Sequence, residues 1–515
     1  MASLLRLLSC LMLISFLISV KDVVSVSGEP ITISTLSRCA RLPIPTPCCP
    51  TPVKKVKDFK LPAHNGTLRI RKAAHLLDEE YIDKYKRAVE LMKALPPHDP
   101  RSYTQQASIH CAYCDGAYHQ VNNTHMEVQI HYSWLFLPFH RYYVYFHEKI
   151  LGKLIGDPDF ALPYWNWDSP AGMRIPSLFT DVSSPFYDVR RDKRHLPPTI
   201  VDLNYDVIEK NLTVHDQVRQ NLATMYRKMV WNGRTGSLFF GNPYRVGSQP
   251  APGSGAIEDV PHNSVHIWVG NSNSSFEDMG NFYSSAKDPV FYPHHANIDR
   301  LWTLWRKLGG KRRRALKDPD WLEASFIFFD ENAEAVRVKV KDALRTKNFG
   351  YKYQHVDVPW IKAKPTPRKK DNDEVARSLN VVRRIDMEAS SFPLVLDKVF
   401  NTIVKRTPTK DNDVEELLVI EGIEFRRDIP TKFDVYVNEL DWRECTPEHT
   451  EFAGTFLNIP NIRKAGLKMT TTLRLTITDL LRDLGAEEDE TIHVTLVPRY
   501  GKEHVIIHSI KTKQV

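Results

Sequence analysis

No apolar run in this chain is long enough to cross a membrane comfortably. The best candidate, Leu7 to Val20, is followed at once by Lys21 and Asp22. With Arg6 before it and Ser25-Val26-Ser27 after it, it reads as a secretory leader over residues 1–28, cut near Ser27 or Gly28. Nucleic-acid-binding motifs are also missing. The net charge is +8, and its densest basic runs, Lys311 to Arg314 and Pro367 to Lys370, stand without such a motif, so solvated surface and linker is the better reading. Cysteine is scarce, at 7 of 515 residues. Cys10 leaves with the leader, while Cys39, Cys48, Cys49, Cys111 and Cys114 crowd the front of the chain, the usage of an oxidising compartment. Cys445 stands apart and reads as a buried free thiol. Asn65, Asn122, Asn211 and Asn273 begin glycan acceptor sequons.

Histidine, by contrast, gathers in two places. His110, His131 and His140 are spaced H-x20-H-x8-H. Imidazole is the commonest metal ligand and suits copper, zinc and iron. Positions 131 and 140 would face opposite sides of one helix, and Pro138 interrupts that helix. This predicts His131 on a loop, His140 at the start of a helix running to Leu151, and His110 at the end of an earlier helix. His119 and His125 share the window, so the triplet does not stand alone. The partner cluster settles the reading. Asp259 to Gly270, DVPHNSVHIWVG, sets His262 and His266 at i and i+4 on one face of a helix that starts after Pro261. Asp288 to Trp302, DPVFYPHHANIDRLW, adds His294 and His295. No carboxylate cluster is interleaved with these histidines. That argues against a dizinc hydrolase, which recruits Asp or Glu, and for two nitrogen-bound redox ions, of which copper fits best.

HCAYC at His110 to Cys114, HYSWLFLPFH at His131 to His140, HNSVH at His262 to His266 and FYPHHANIDRLW at Phe291 to Trp302 resemble the dicopper site of plant polyphenol oxidases, the tyrosinase and catechol oxidase family. The resemblance implies an α-helical dicopper core built on a four-helix bundle, over residues 29–353. His110, His131 and His140 would bind one copper ion, and His262, His266 and His295 the other. It further implies a thioether from Cys114 to His131. Disulfides would join Cys39 to Cys49 and Cys48 to Cys111, strapping the proline-rich arm to the copper helices. Glu258 and Asn263 match a pair that holds a water near the second copper, and Phe282 an aromatic gate above it. The implied activity is oxidation of o-diphenols to o-quinones with reduction of dioxygen to water, with monophenol hydroxylation also open. A specialised biosynthetic phenol oxidase or hydroxylase and a haemocyanin-like dioxygen carrier are the alternatives. Because the leader lacks the long Ser-rich transit peptide usual in the family, the expected destination is the vacuole or cell exterior rather than the thylakoid lumen.

Along the rest of the chain, Asp78 to Leu95 shows helical spacing with an acidic first turn, and Val214 to Met229 reads as a second helix. ALPYWNWDSP, Ala161 to Pro170, reads as packing only. Asn271 to Lys287 is a polar loop suited to shaping substrate entry. Asp299, one turn after His295, is a candidate to orient an imidazole or to form a helix-surface ion pair. KDPDWLEASFIFFDE and FGYKY resemble the DWL segment and Y-x-Y motif of the family, about 307–353. Residues 354–389 are poor in apolar residues and read as an exposed linker open to an activating protease. From 390 to 515, short alternating runs predict a β-sandwich or jelly-roll-like domain, and RRDIPTKFDVYVNE resembles the family's KFDV domain. That domain is expected to cover the site through EFAGTFLNIP, around Phe452 to Leu457, and to keep the enzyme latent.

Overall fold

The computed structural model describes residues 28–40, 48–62, 66–370, 392–409, 411 and 413–515. The leader up to Ser27, the sequon at Asn65 and the linker beyond residue 370 lie outside these.

The core starts with helix α1, Glu79–Ala94. Asp78 caps it by accepting from the Tyr81 N–H at 2.8 Å, and Glu79 and Glu80 oppose the helix dipole. Its buried residues, Tyr85, Ala88, Val89 and Met92, follow the i, i+3, i+4, i+7 spacing and make one apolar stripe. Four further helices carry five of the seven clustered histidines, all but His131 and His262: α2, Tyr103–Cys114; α3, Phe136–Leu154; α5, Ser264–Val269; and α6, Phe291–Lys307. Between them α4, Val214–Tyr226, runs on into a wider turn at Arg227–Trp231. Sixteen of the nineteen residues of α3 are buried, so it is a central helix without a solvent face.

Helix α3 begins at Phe136, four residues ahead of the predicted start at His140, and Pro138 sits inside it. A proline in the first turn removes an N–H that would have no partner there anyway. Pro293 opens α6 in the same way. His110 lies one turn before the end of α2 rather than at its end. His262 and His266 do not share one regular helix. His262 belongs to a wide turn, Glu258–Asn263, in which Val260 leaves helical geometry, and α5 begins only at Ser264.

A buried ionic knot ties α3 to α6. Arg71 reaches Glu148 of α3 at 2.7 Å and Asp299 of α6 at 3.3 Å, and Arg141 of α3 pairs with Asp299. The hydroxyls of Tyr351 and Tyr353 donate to the same Asp299 oxygen at 2.6 and 2.5 Å. Asp299 therefore neither touches an imidazole nor makes a surface pair, and the Y-x-Y motif supplies its hydroxyls. Burial alone would push the carboxyls of Asp299 and Glu148 up. Arg141 and Arg71 at Asp299, and Arg71 and Arg69 at Glu148, hold both below their ordinary values.

The carboxyl-terminal domain is a two-sheet β structure. One sheet has the order β4–β3–β6–β1, formed by β1 (Phe400–Lys405), β3 (Thr431–Val437), β4 (Phe452–Asn458) and β6 (Thr491–Tyr500). In the other, β2 (Glu416–Arg426) pairs with β5 (Lys468–Thr476) on one side and β7 (Ser509–Gln514) on the other. Buried apolar residues of both domains form one contiguous cluster. Arg227 donates to the carbonyls of Pro447 and His449 at 2.8 Å, and Lys464 and Arg427 both pair with Glu127. The stretch expected to be exposed linker is largely solvent-facing as far as residue 370 but is tied down at points: Trp360 is fully buried and donates to Asp168 at 2.9 Å, and Arg368 pairs with Glu439 at 2.9 Å. Its scarcity of apolar residues concealed these separate anchors.

Replacing Arg71 by Met takes one of two cationic partners from each of two buried carboxylates, Arg141 and Arg69 remaining, and should lower unfolding stability by about 3 kcal/mol in denaturant titration; a loss under about 1 kcal/mol would contradict the knot. Because both carboxyls titrate lower in the folded chain than in the unfolded one, their contribution is complete above the ordinary carboxylate range. It should vanish as pH falls below about 4, which melting temperatures across that window would check.

Candidate metal centre

Two buried clusters face one another. The first joins His110, Cys114, His131 and His140, and the second His262, His266, His294 and His295. Within each, the potential ligand atoms lie within 4.8 Å of one another. The clusters meet where the rings of His140 and His295 stack with centroids 4.3 Å apart. Phe136 fills the angle between them, 4.8 Å from His140 and 4.6 Å from His262.

Three of the imidazoles are aimed by what their other nitrogen touches. His140 Nδ1 donates to the Phe136 carbonyl at 2.8 Å, and this bond needs the early start of α3. His266 Nδ1 donates to the Met279 carbonyl at 2.7 Å, so the polar loop before α6 orients a histidine. His262 Nδ1 meets Asn263 Oδ1 at 2.8 Å. With these protons at Nδ1, the three Nε2 atoms carry lone pairs. His295 Nε2 lies 3.3 Å from His262 Nε2 and 3.2 Å from His266 Nε2. At most one of these contacts can be a hydrogen bond. Three nitrogens bound tetrahedrally to one ion at about 2.0–2.1 Å stand roughly 3.3 Å apart, so a single cation satisfies all three. In the first cluster both nitrogens of His110, Nδ1 of His131 and Nε2 of His140 are buried without a protein partner. Such orphaned polar atoms are costly in a dry interior unless a metal takes the lone pairs among them.

His294 differs from its neighbour. Trp167 Nε1 donates to His294 Nδ1 at 3.1 Å, which places the proton of the neutral ring on Nε2 and removes that lone pair. The aromatic loop at 161–170 thus does more than pack. Trp167 sets the tautomer of His294, and Asp168 accepts from Asn297 and Arg300 of α6 at 2.9 and 3.0 Å. Only the sequence proximity of two tryptophans and an acid hinted at this.

Burial, reinforced by neighbouring imidazoles, drives His110, His131, His262 and His295 well below the ordinary histidine value. His140 falls to about 3 and His266 to about 4, burial outweighing the carbonyl bonds that favour their charged forms. The clusters are therefore uncharged at neutral pH, the state in which imidazole binds metal. No thiolate competes, because burial raises the Cys114 thiol well above its ordinary value. The donor set is neutral nitrogen, which suits two copper ions. Glu258 is also buried. One oxygen accepts from the Tyr132 N–H and the other has no protein partner, while burial and the nearby Asp259 raise its pKa well above the ordinary value. Phe282 lies against the first cluster, 4.6 Å from the His131 ring, rather than over the second. His119 and His125 stay out of the site, on a small hairpin. Cys39 is bonded to Cys49 and Cys48 to Cys111, and Cys445 is buried and free.

The carboxyl-terminal domain lies directly on this centre. Asn263 Nδ2 donates to the Leu457 carbonyl at 2.6 Å, and the Phe282 N–H donates to the Pro460 carbonyl at 3.1 Å. The contacts are made at the end of β4 and just beyond it. Phe452, at its start, packs instead on Tyr436.

His295→Ala should reduce bound copper from two ions to about one per chain, whereas His294→Gln should keep two, as counted by mass spectrometry of the purified protein. The opposite pattern would exchange the two assignments.

Comparison with known families and structures agrees with this picture. The common central domain of tyrosinase matches residues 100–308, the polyphenol oxidase middle domain 315–366, and the chloroplastic polyphenol oxidase C-terminal domain 392–514. The chain is 54% identical over 494 residues to a chloroplastic polyphenol oxidase of Malus domestica, covering 92% of this chain and 83% of that one. It is 49% identical to aureusidin synthase of Antirrhinum majus, covering 95% and 89%. The solved structure of latent apple tyrosinase superposes with a TM-score of 0.84 at 53% identity, covering 90% of this chain and all of that one. The relatives from Malus domestica, Vitis vinifera, Ipomoea batatas and Prunus armeniaca are all named chloroplastic. This overturns the expectation of a vacuolar or extracellular protein and points to the plastid. The apolar leader and the lack of a long Ser-rich transit segment, on which that expectation rested, did not distinguish these routes. Among the described residues no helix is long and apolar enough to cross a membrane.

Proposed function

Because this chain belongs to the plant polyphenol oxidase family of copper oxidoreductases, we propose that it oxidises o-diphenols to o-quinones while dioxygen is reduced to water, and that it is made as a latent proenzyme. The observation that carries this reading is the meeting of two neutral, buried histidine clusters across His140 and His295. In it His110, His131 and His140 hold one copper ion, and His262, His266 and His295 the other. Bound copper supplies the capacity to exchange electrons with dioxygen and phenol.

The chain's own side chains do the rest. Carbonyl bonds at Phe136 and Met279 aim two of the imidazoles. A thioether between Cys114 and His131 would fix a third; its support is the buried thiol beside that ring. Glu258 and Asn263 hold a water that accepts the phenol proton. The unpartnered Glu258 oxygen supports this role. Asn263 has its amide nitrogen taken up by the Leu457 carbonyl while the cover is seated, which supports latency. Phe282, tied at its backbone to Pro460, is held by the same segment and would be released with it. An activating protease would cut beyond residue 370, since the preceding stretch is anchored by Trp360.

Oxygen uptake by the copper-loaded chain with 4-methylcatechol should be slow, and should rise once the chain is cut between residues 370 and 392. Tyramine should then also be turned over, and Glu258→Gln should lower that monophenol rate by about 10²-fold or more while sparing the diphenol. No uptake with either phenol after cutting would refute the general oxidase and favour a narrow substrate, as the names of the aureusidin synthase and (+)-larreatricin hydroxylase relatives indicate for those proteins.

A further inference from the structure

A second concave site lies away from the copper centre, where the last turn of α6 meets residues 340–349. Its cavity is 360 Å³, within the usual size range of small-molecule sites. Five cations line it: Arg141 from α3, Arg306 and Lys307 from α6, and Arg345 and Lys347 from the following segment. Thr346 adds a hydroxyl, and no carboxylate is among the lining residues. Among the described residues, no ion pair involves Lys307, Arg345 or Lys347.

Ordinary structural reasons account for only part of this. Basic residues in the last turn of a helix offset its dipole, which suits Arg306 and Lys307. Arg306 also donates to the Leu344 carbonyl, and Arg141 to the Ala343 carbonyl at 2.7 Å. Neither reason reaches Arg345 or Lys347, which come from another segment. Asp299 pairs with Arg141 alone among the five, and among the described residues the other four cations have no such acid. Both Asp299 oxygens are already engaged by Arg141, Arg71, Tyr351 and Tyr353. Burial raises the Asp342 pKa, and the charges it feels most are Lys341 and Lys339. Burial, then the fields of Arg345 and Arg141, lower the Arg306 pKa, which shows like charges crowding one another.

We propose that this cavity binds a polyvalent oxyanion, a phosphate or sulfate ester. Guanidinium forks and a hydroxyl match the oxygens of a tetrahedral anion, and the cavity leaves room for the organic group beyond it. Arg141 adjoins His140 in sequence and clamps Asp299 of α6. Occupancy therefore relieves repulsion beside the knot that holds two histidine-bearing helices together, and the stability of the core registers it.

The test uses the full-length, copper-loaded protein and pyrophosphate as the probe, at constant ionic strength. Calorimetry should give one saturable site per chain, and the melting temperature should rise with occupancy. Arg345→Gln/Lys347→Gln, at two exposed positions outside the copper centre, should weaken binding by at least about tenfold and leave catechol oxidation unchanged. Lys398→Glu, which removes the same net charge elsewhere, should bind as the parent does. Phosphatidylcholine vesicles with and without phosphatidic acid separate the possible sources of the anion. Sedimentation only with phosphatidic acid, reversed by pyrophosphate and lost in the double variant, assigns a lipid headgroup. Pyrophosphate binding without sedimentation assigns a free ester. A response that chloride reproduces at equal ionic strength, or a double variant that binds as the parent does, would overturn the site.

Discussion

The fold is arranged around nitrogen lone pairs that no protein donor meets. Histidine is costly to bury unpaired, and this chain buries seven in two facing clusters, with several acceptor atoms left open. Burial keeps the rings neutral, neutrality keeps their lone pairs available, and those lone pairs define the space for two cations. Everything nearby serves the aim of those rings. The early start of α3 brings the Phe136 carbonyl to His140, and the loop before α6 brings the Met279 carbonyl to His266. Without a metal, such an interior would be one of the least favourable parts of the molecule.

The ionic knot of Arg71, Arg141, Glu148 and Asp299 is the mechanical counterpart of that centre. It is drier than most ion pairs, and its members are bonded on several sides, the condition under which buried charge is tolerated. The knot fixes α3 against α6 at the positions that set His140 and His295 face to face. The two tyrosines that complete it come from the segment after the helical core. The middle part of the chain thus contributes to the metal centre without touching it. The carboxyl-terminal domain contributes in a third way, since its Leu457 and Pro460 carbonyls hold Asn263 and the Phe282 backbone in the covered form.

Much of this was legible in the residues. Histidine spacing and the absence of interleaved carboxylates pointed to a nitrogen-bound copper pair, and alternating apolar runs marked the β domain. What escaped the sequence was mostly backbone. A proline reads as a helix stop, yet Pro138 and Pro293 stand in first turns where no N–H is needed. An i, i+4 pair reads as a regular helix, yet His262 sits in a wide turn before α5. Asp299 looked like an exposed helix acid because its partners lie as far off as Arg71 and Tyr353 in sequence. Trp167 looked like packing and Trp360 like part of an exposed linker, yet the indole N–H of each reaches a specific partner, His294 and Asp168. Long-range pairing of single side chains leaves no periodic trace.

The central claim is that the two clusters are paired metal sites for copper, with His295 rather than His294 completing the second. Anomalous diffraction at the copper edge, on crystals of the full-length latent protein, tests it most directly. The account predicts two copper peaks per chain, one bounded by His110, His131 and His140 and the other by His262, His266 and His295. A single peak, a signal only at the zinc edge, or a peak against His294 with His295 turned away would contradict it.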